Sequence, residues 1–309
     1  MAPPADNGSP TTLPAPGTVR LEPRGKMLAV VFAAMASPCE VLLPTMDQDK
    51  AMEIGRFVAE ETWRIEKKFS RYRDDSVLAW IHRNRGRELT VDAETSALLE
   101  FARQCHELSE GLFDISSGIL RQAWRFDGSS GLPSEATIAK LLPLIGFEKI
   151  TWRAPRLLLP EDMEIDFGGF GKEYAVDRAY EQVAAVLHEP FLINLGGDLR
   201  ANRPPALGAW QIGVERPDTD RDAALLLSLE HGALATSGDS HRFIVHDGKR
   251  YGHVLNPRTG WPVVDAPRSV TVAASSCTEA GLLATLALLH GATARSFLEE
   301  QRVRFWILE

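Results

Sequence analysis

The feature that most restricts the fold of this chain is an irregular exchange between two apolar periods. From Asp47 onward Ile54, Val58, Thr62, Ile65 and Phe69 recur three or four residues apart, which gathers them on one helix face. Helical patterning returns over 94–109, where Gly111 stops it, and over 133–142, 172–187 and 278–289, the last ended by Gly291. Short apolar runs predict strands at 191–195, 210–214, 223–229, 243–246 and 269–274. No regular strand–helix–strand repeat emerges, so the pattern predicts an α+β fold rather than a doubly wound parallel sheet. The first 18 residues, rich in Pro, Ala, Gly, Ser and Thr, predict a mobile tail, which leaves 19–309 as one domain.

Composition narrows the classes further. Acidic residues (42) outnumber basic ones (34), a net charge of -8 that argues against a dedicated nucleic-acid binder. Cys39, Cys105 and Cys277 are an odd set without a CxxC pair and read as buried thiols. No run reaches the ~18–20 apolar residues of a membrane span. Residues 27–36, MLAVVFAAMA, follow Arg20, Arg24 and Lys26 and invite comparison with a signal peptide, or with a lipoprotein signal at Cys39. The lead-in is long and partly acidic, and Pro38 stands where a lipoprotein signal wants a small residue. A buried strand, and a cytoplasmic protein, is the preferred expectation.

Four segments carry chemistry. IDFGGFGKEYAVDR (165–178) combines a Gly pair, a third Gly and a helix start, which lets backbone approach a ligand and offers amides to phosphate. It is neither a Walker loop nor GxGxxG, and a plain strand-to-helix turn with Lys172 and Asp177 as surface charges is the other reading. NLGGDL (194–199) is a hairpin turn or a backbone cradle. ATSGDSHR (235–242) sets Thr236, Ser237 and Asp239 around Gly238, with Arg242 as a fork for phosphate or carboxylate. A Ser-His-Asp hydrolase set is disfavoured there: the residues are too close in sequence and no GxSxG elbow exists. YGHVLNPRTGWP (251–262) holds His253 just before a rigid polar turn. None of the eight histidines forms an HExxH pattern, which leaves a hard cation on carboxylates and carbonyls as the metal option.

Together these segments resemble the ApbE family, the FAD:protein FMN transferases. The resemblance spans 32–289 and keeps the family's motif order. Phe32 to Ser37 resembles the opening AMGT strand, and FSRYR (69–73) through Ser76 resembles FSRYRPDS. FDISSG (113–118), with Trp124 beyond it, resembles FDPTVGP, and IDFGGFGKEYAVDR resembles DLGGIAKGYAVDR. NLGGDL with Trp210 and Ile212–Glu215, ATSGDSHR and GHVLNPRTGWPV resemble the last three motifs. The resemblance implies a two-lobed fold with the flavin site between the lobes. It implies FAD as donor, Mg²⁺, and transfer of the FMN moiety to a Thr or Ser of an acceptor flavoprotein with release of AMP. It further implies His253 as the proton acceptor and Asp239 and Arg242 on the phosphate side. Met35, Tyr72, Ser116, Gly118, Lys172, Gly197, Asp198, Ser237 and Gly238 would line or support the flavin and adenine pocket.

One departure bears on the cation. In the family an Asp and a Thr one helical turn later bind it, together with a backbone carbonyl that falls here on Gly171. This chain keeps Thr285 but has Gly281 at the Asp position. Glu279 stands about 200° away around the helix from residue 281 and could substitute only if the helix started later or bent. Glu173 replaces a Gly after the motif Lys and adds negative charge, Ser240 replaces a Tyr, Ser116-Ser117 replaces Thr-Val, and Asn256 replaces an Asp. With a carboxylate missing, weaker cation binding is expected. A non-catalytic FAD-binding homologue and an FAD pyrophosphatase are the alternatives.

Overall fold

A computed structural model describes residues 14–126, 131–206, 208–215, 223–239, 242–263 and 265–309. Most of the tail expected over 1–18 lies outside the described residues, as does Ser240. The chain opens with β1 (Val19–Arg24), β2 (Met27–Ala34) and β3 (Ser37–Leu43). There follow α1 (Gln48–Phe69), α2 (Val77–Arg83), β4 (Glu88–Thr90), α3 (Ala93–Leu108), α4 (Glu135–Leu141), β5 (Thr151–Arg153), β6 (Arg156–Leu158) and α5 (Gly171–Ala184). The second half runs through β7 (Leu192–Leu195), β8 (Asp198–Ala201), β9 (Trp210–Glu215), β10 (Ala223–Leu229) and β11 (Gly232–Gly238). It closes with β12 (Phe243–His246), β13 (Lys249–Gly252), β14 (Ser269–Ala274), α6 (Cys277–Leu289), α7 (Ala294–Glu300) and β15 (Arg304–Leu308).

Eight strands form one sheet in the order β1-β2-β3-β7-β8-β11-β14-β15, antiparallel at every junction. The stretch weighed as a signal is mostly β2, and its apolar run is continuous because both faces are covered. Alternation within the sheet separates two cores. Ile193 and Leu195 face a large core shared with α1, α5 and α6, while Leu192 faces a second core with Trp210, Val214 and Leu227 of the β9–β10 hairpin. A third core gathers Ile119, Leu120, Trp124, Ile138 and Ile244.

The helices follow local rules. Asp47 caps α1 by accepting from the Lys50 amide, and Ile54, Val58, Thr62, Ile65 and Phe69 are all buried. Asp92 caps α3 through the Glu94 and Thr95 amides. The sequence of α6, CTEAGLLATLALL, is apolar all round and is enclosed by β11, β14, α5 and α7.

Several expectations need correction. No strand precedes the Gly pair at 168–169: residues 159–167 are irregular, pinned by the Asp166 amide on the Ile115 carbonyl at 2.9 Å. The motif at 235–242 begins within β11, and the apolar pattern places no strand at β1, β3, β4, β5, β6, β13 or β15. No helix among the described residues is long and apolar enough to cross a membrane.

Candidate functional site

The site begins at two hairpin turns that touch. The β2–β3 turn, Met35-Ala36, has φ of 51° and 56°. The β7–β8 turn, Gly196-Gly197, has φ of 63° and 95° between the paired Leu195 and Asp198. Two central residues with positive φ make the tight turn that matches strand twist. The Gly196 amide donates to the Pro38 carbonyl at 2.9 Å, and a Cβ on Gly196 would meet Ser37 Cβ at 2.6 Å. NLGGDL is therefore a hairpin that leads directly into Asp198, the first residue of β8.

Asp198 is 4% exposed. Its Oδ2 lies 2.9 Å from Lys172 Nζ in the first turn of α5, and its Oδ1 accepts from the Thr236 amide of β11 at 3.3 Å. Burial lowers the Lys172 pKa, but the Asp198 and Glu173 charges outweigh it and the net shift is upward. Asp177, one and a half turns along α5, is buried as well. Its Oδ1 takes Arg200 Nη1 at 2.7 Å and the Cys277 amide at 2.9 Å; its Oδ2 takes the Thr278 amide at 2.8 Å and hydroxyl at 2.6 Å. Neither Lys172 nor Asp177 is a surface charge, which overturns that reading of the motif.

Between α5 and α6 lies Glu173. A Cβ on Gly281 would stand 2.5 Å from Glu173 Oε1 and 2.9 Å from its Cδ. Burial, with Asp198 nearby, pushes the Glu173 carboxyl up to about 8. One turn along α6, Thr285 Oγ1 is 2.8 Å from Ser237 Oγ at the end of β11. Gly171 is the first residue of α5, so its carbonyl runs along the helix and keeps one lone pair. Glu279 does not substitute at 281. Helix α6 starts at Cys277 without delay, and the Glu279 carboxylate takes the Ser275 hydroxyl at 2.7 Å.

The next group surrounds His253. Asp239 is held on both oxygens, by Arg250 Nε at 2.6 Å and Arg268 Nε at 2.8 Å. Arg242 is exposed. The His253 ring is half-buried, 6.4 Å from the Phe126 ring, with Nδ1 buried and without a partner. Burial, then the Arg242 charge, pulls its pKa down to about 4. The fields of Asp239 and Lys172 also reach it, which links this group to the Lys172–Asp198 pair.

Two expected pocket residues have other surroundings. Ser116 is fully buried; its hydroxyl donates to Asp114 Oδ1 at 2.6 Å and accepts from the Gly146 amide at 2.8 Å. Its hydroxyl is consumed inside the fold, which leaves it the supporting role of the two expected for it. Tyr72 is 78% exposed, with Arg71 Nη2 on its hydroxyl at 2.7 Å and Arg71 Nη1 on Asp166 at 2.5 Å. Gly118 packs on Asp166, where a Cβ would meet Asp166 Cβ at 2.5 Å. Arg71, Asp166, Arg250 and Arg268 escaped sequence reasoning, although the first two lie inside quoted motifs, and Thr236 was read only as one of several polar groups around Gly238. His106, Asp114 and Glu148 bring ligand atoms within 4.8 Å, but Asp114 already serves Ser116 and the Phe147 amide. A groove of about 470 Å³ along α1, lined by Met52, Arg56 and Phe57 among others, contains none of the candidate residues.

Comparison with known proteins follows the same motifs. The ApbE family model matches residues 35–307. The crystal structure of the ApbE protein of Thermotoga maritima is 30% identical, with a TM-score of 0.82 over 91% of this chain and 94% of that one. The FAD:protein FMN transferase of Klebsiella pneumoniae is 29% identical over 259 residues, 82% of this chain and 79% of that protein. That of Treponema pallidum is 30% identical over 248 residues, 73% of this chain and 68% of that protein.

Proposed function

We propose, because the chain belongs to the ApbE family, that it transfers the FMN moiety of FAD to a Thr or Ser hydroxyl of an acceptor flavoprotein and releases AMP. The observation that carries the reading is the meeting of four separate motifs: Lys172 on Asp198, Asp198 on Thr236, and Ser237 on Thr285. Relatives across most of the chain bear the name FAD:protein FMN transferase.

In this reading the acceptor oxygen forms a bond to the FMN-side phosphorus, the pyrophosphate bond breaks, and AMP leaves with the bridging oxygen. His253, neutral at pH 7 and with Nδ1 unengaged, takes the hydroxyl proton. Its lowered pKa makes it a weak base while the site is empty of phosphate. A bound pyrophosphate offsets the Arg242 charge and strengthens it. Asp239 acts by position, holding Arg250 and Arg268. Lys172 presents positive charge beside the Gly196-Gly197 turn, and Met35, Gly197 and Gly238 supply backbone walls. Tyr72 is an open edge.

The donor set suits a hard cation: the Thr285 hydroxyl, the Gly171 carbonyl and a carboxylate are all oxygen ligands. A divalent ion such as Mg²⁺, when bound, neutralises charge on the phosphate oxygens and the leaving AMP. Residues 19–309 act as one unit, because strands from 19–43 and 192–308 share one sheet. The cytoplasmic reading rests on residues 27–34 forming β2 inside that sheet; a precursor shortened near Ser37 in an export assay would overturn it.

The test is incubation of the purified protein with FAD, Mg²⁺ and an acceptor flavoprotein that carries a Thr or Ser flavinylation site. Covalent flavin on the acceptor, with AMP released in equal amount, is expected. FMN appearing free without an acceptor, or FAD bound without AMP release, would overturn transfer.

A further inference from the structure

Two departures from the family pattern, read from the sequence as separate losses, meet in space. Gly281 leaves the face of α6 bare one turn before Thr285. Glu173 enters that space from the first turn of α5. Its carboxyl oxygen lies where a side chain on residue 281 would have to be, 2.5 Å from the position of a Cβ there. The two residues exclude each other: a contact under 3 Å cannot hold both a Cβ at 281 and Glu173 in this rotamer.

The Glu173 carboxylate is half-buried and, among the described residues, accepts no hydrogen bond from another residue and has no cation within ion-pair distance. A carboxylate partly withdrawn from water without a protein partner is costly and is open to a ligand that completes it. Three things surround it. Helix α6 carries the Thr285 hydroxyl, paired among the described residues with another hydroxyl, Ser237 Oγ at 2.8 Å. Asp198 adds negative charge but is already paired with Lys172. Asp177 fixes α5 against the start of α6, so the gap between the two helices is not adjustable at will.

We propose that Glu173 is the carboxylate ligand of the divalent cation, reaching from α5 into the space that Gly281 vacates, with the Thr285 hydroxyl as a second ligand. The negative charge has moved from α6 to α5 without leaving the site. Glu173 and Gly281 are one exchanged unit, and the cation chemistry survives the loss of an acid at 281. The inference rests on the flavin-transfer reading for the presence of a cation, and its test is separable from that reading.

The experiment uses Mn²⁺ as a spectroscopic probe. Full-length protein is titrated with Mn²⁺ in the presence of FAD, and free ion is followed by electron paramagnetic resonance. The set is the unmodified chain, Glu173→Gln, Gly281→Asp, and the exchange Glu173→Gly with Gly281→Asp. Circular dichroism and FAD affinity verify folding. The unmodified chain binds; Glu173→Gln binds at least tenfold more weakly; the exchange variant recovers to within about threefold. Gly281→Asp alone crowds two carboxylates together and loses stability or affinity. Should it fail to fold, the other two variants still decide. Unchanged Mn²⁺ affinity in Glu173→Gln, an exchange variant as weak as Glu173→Gln, or no binding by the unmodified chain overturns the proposal. Mn²⁺ held through Glu173 with no covalent flavin or AMP overturns the transfer reading alone. Transfer that persists in Glu173→Gln at unchanged Mn²⁺ affinity overturns the ligand assignment alone.

Discussion

Asp177 of α5 caps a helix to which it does not belong: its Oδ2 receives both the amide and the hydroxyl of Thr278 in the first turn of α6. A carboxylate at a helix N-terminus satisfies orphan amides and complements the dipole. Here it also fixes the spacing of the two helices that carry Glu173 and Thr285. Asp177→Asn would remove the anion that pairs with the half-buried Arg200 and mispair the Thr278 donors. The expected loss is about 3 kcal/mol, read as a lowered urea midpoint with an unchanged slope.

The pH behaviour of His253 provides a second check. Burial pulls its imidazole down to about 4, so an NMR titration of the ligand-free protein should show the His253 ring still neutral well below pH 6.5. Adding pyrophosphate should raise that midpoint. The sign for stability is fixed by the lowered value: the contribution is fully present above pH 6.5 and is lost as pH falls towards 4. A midpoint unmoved by pyrophosphate would separate Arg242 from the phosphate side.

Acid should also loosen the contact between α1, α3 and α5. Burial works against the Glu94 anion, but hydrogen bonds from Arg64, Lys68 and Tyr174 prevail and hold its pKa at about 2. Its contribution is present above the ordinary value of 4.5 and disappears as pH falls to about 2. Solvent screening reduces it to about 1 kcal/mol. Glu94→Gln should flatten the acid limb of a stability–pH curve over that interval.

The hairpin turn at the site separates strain from contact. Gly197→Ala meets nothing within 4 Å, so only its φ of 95° is penalised, a cost of roughly 1–2 kcal/mol. Gly196→Ala adds a clash with Ser37 at 2.6 Å. Thermal unfolding should rank Gly196→Ala below Gly197→Ala, and both below the unmodified chain.

How far these features were legible depended on how local their cause was. Helix α1 was readable because Ile54, Val58, Thr62, Ile65 and Phe69 announce one face, and all are buried. Strand β3 was not, since Pro38 and Glu40 interrupt its apolar pattern and its place is set by partners on β2 and β7. The motif order pointed to the right family. It could not tell a wall from a node: the Ser116 hydroxyl is consumed by Asp114 and Gly146. Nor could it pair Glu173 with Gly281, because their relation exists only once α5 and α6 pack.

The order of the central sheet has a consequence for synthesis. Cys39 on β3 is registered against Leu195 on β7, and Ser237 on β11 needs Thr285 on α6. The amino-terminal hairpins must therefore wait, with apolar β2 uncovered, while most of the chain is still being made. Pairings of such long sequence separation form slowly and leave strand edges open to neighbours. For this protein the hazardous interval is on the ribosome: a chain arrested before β14 would carry Lys172 and Asp198 together with an unpaired edge at β11. Such a product should be recovered bound to chaperones or in aggregates rather than as a partly active enzyme.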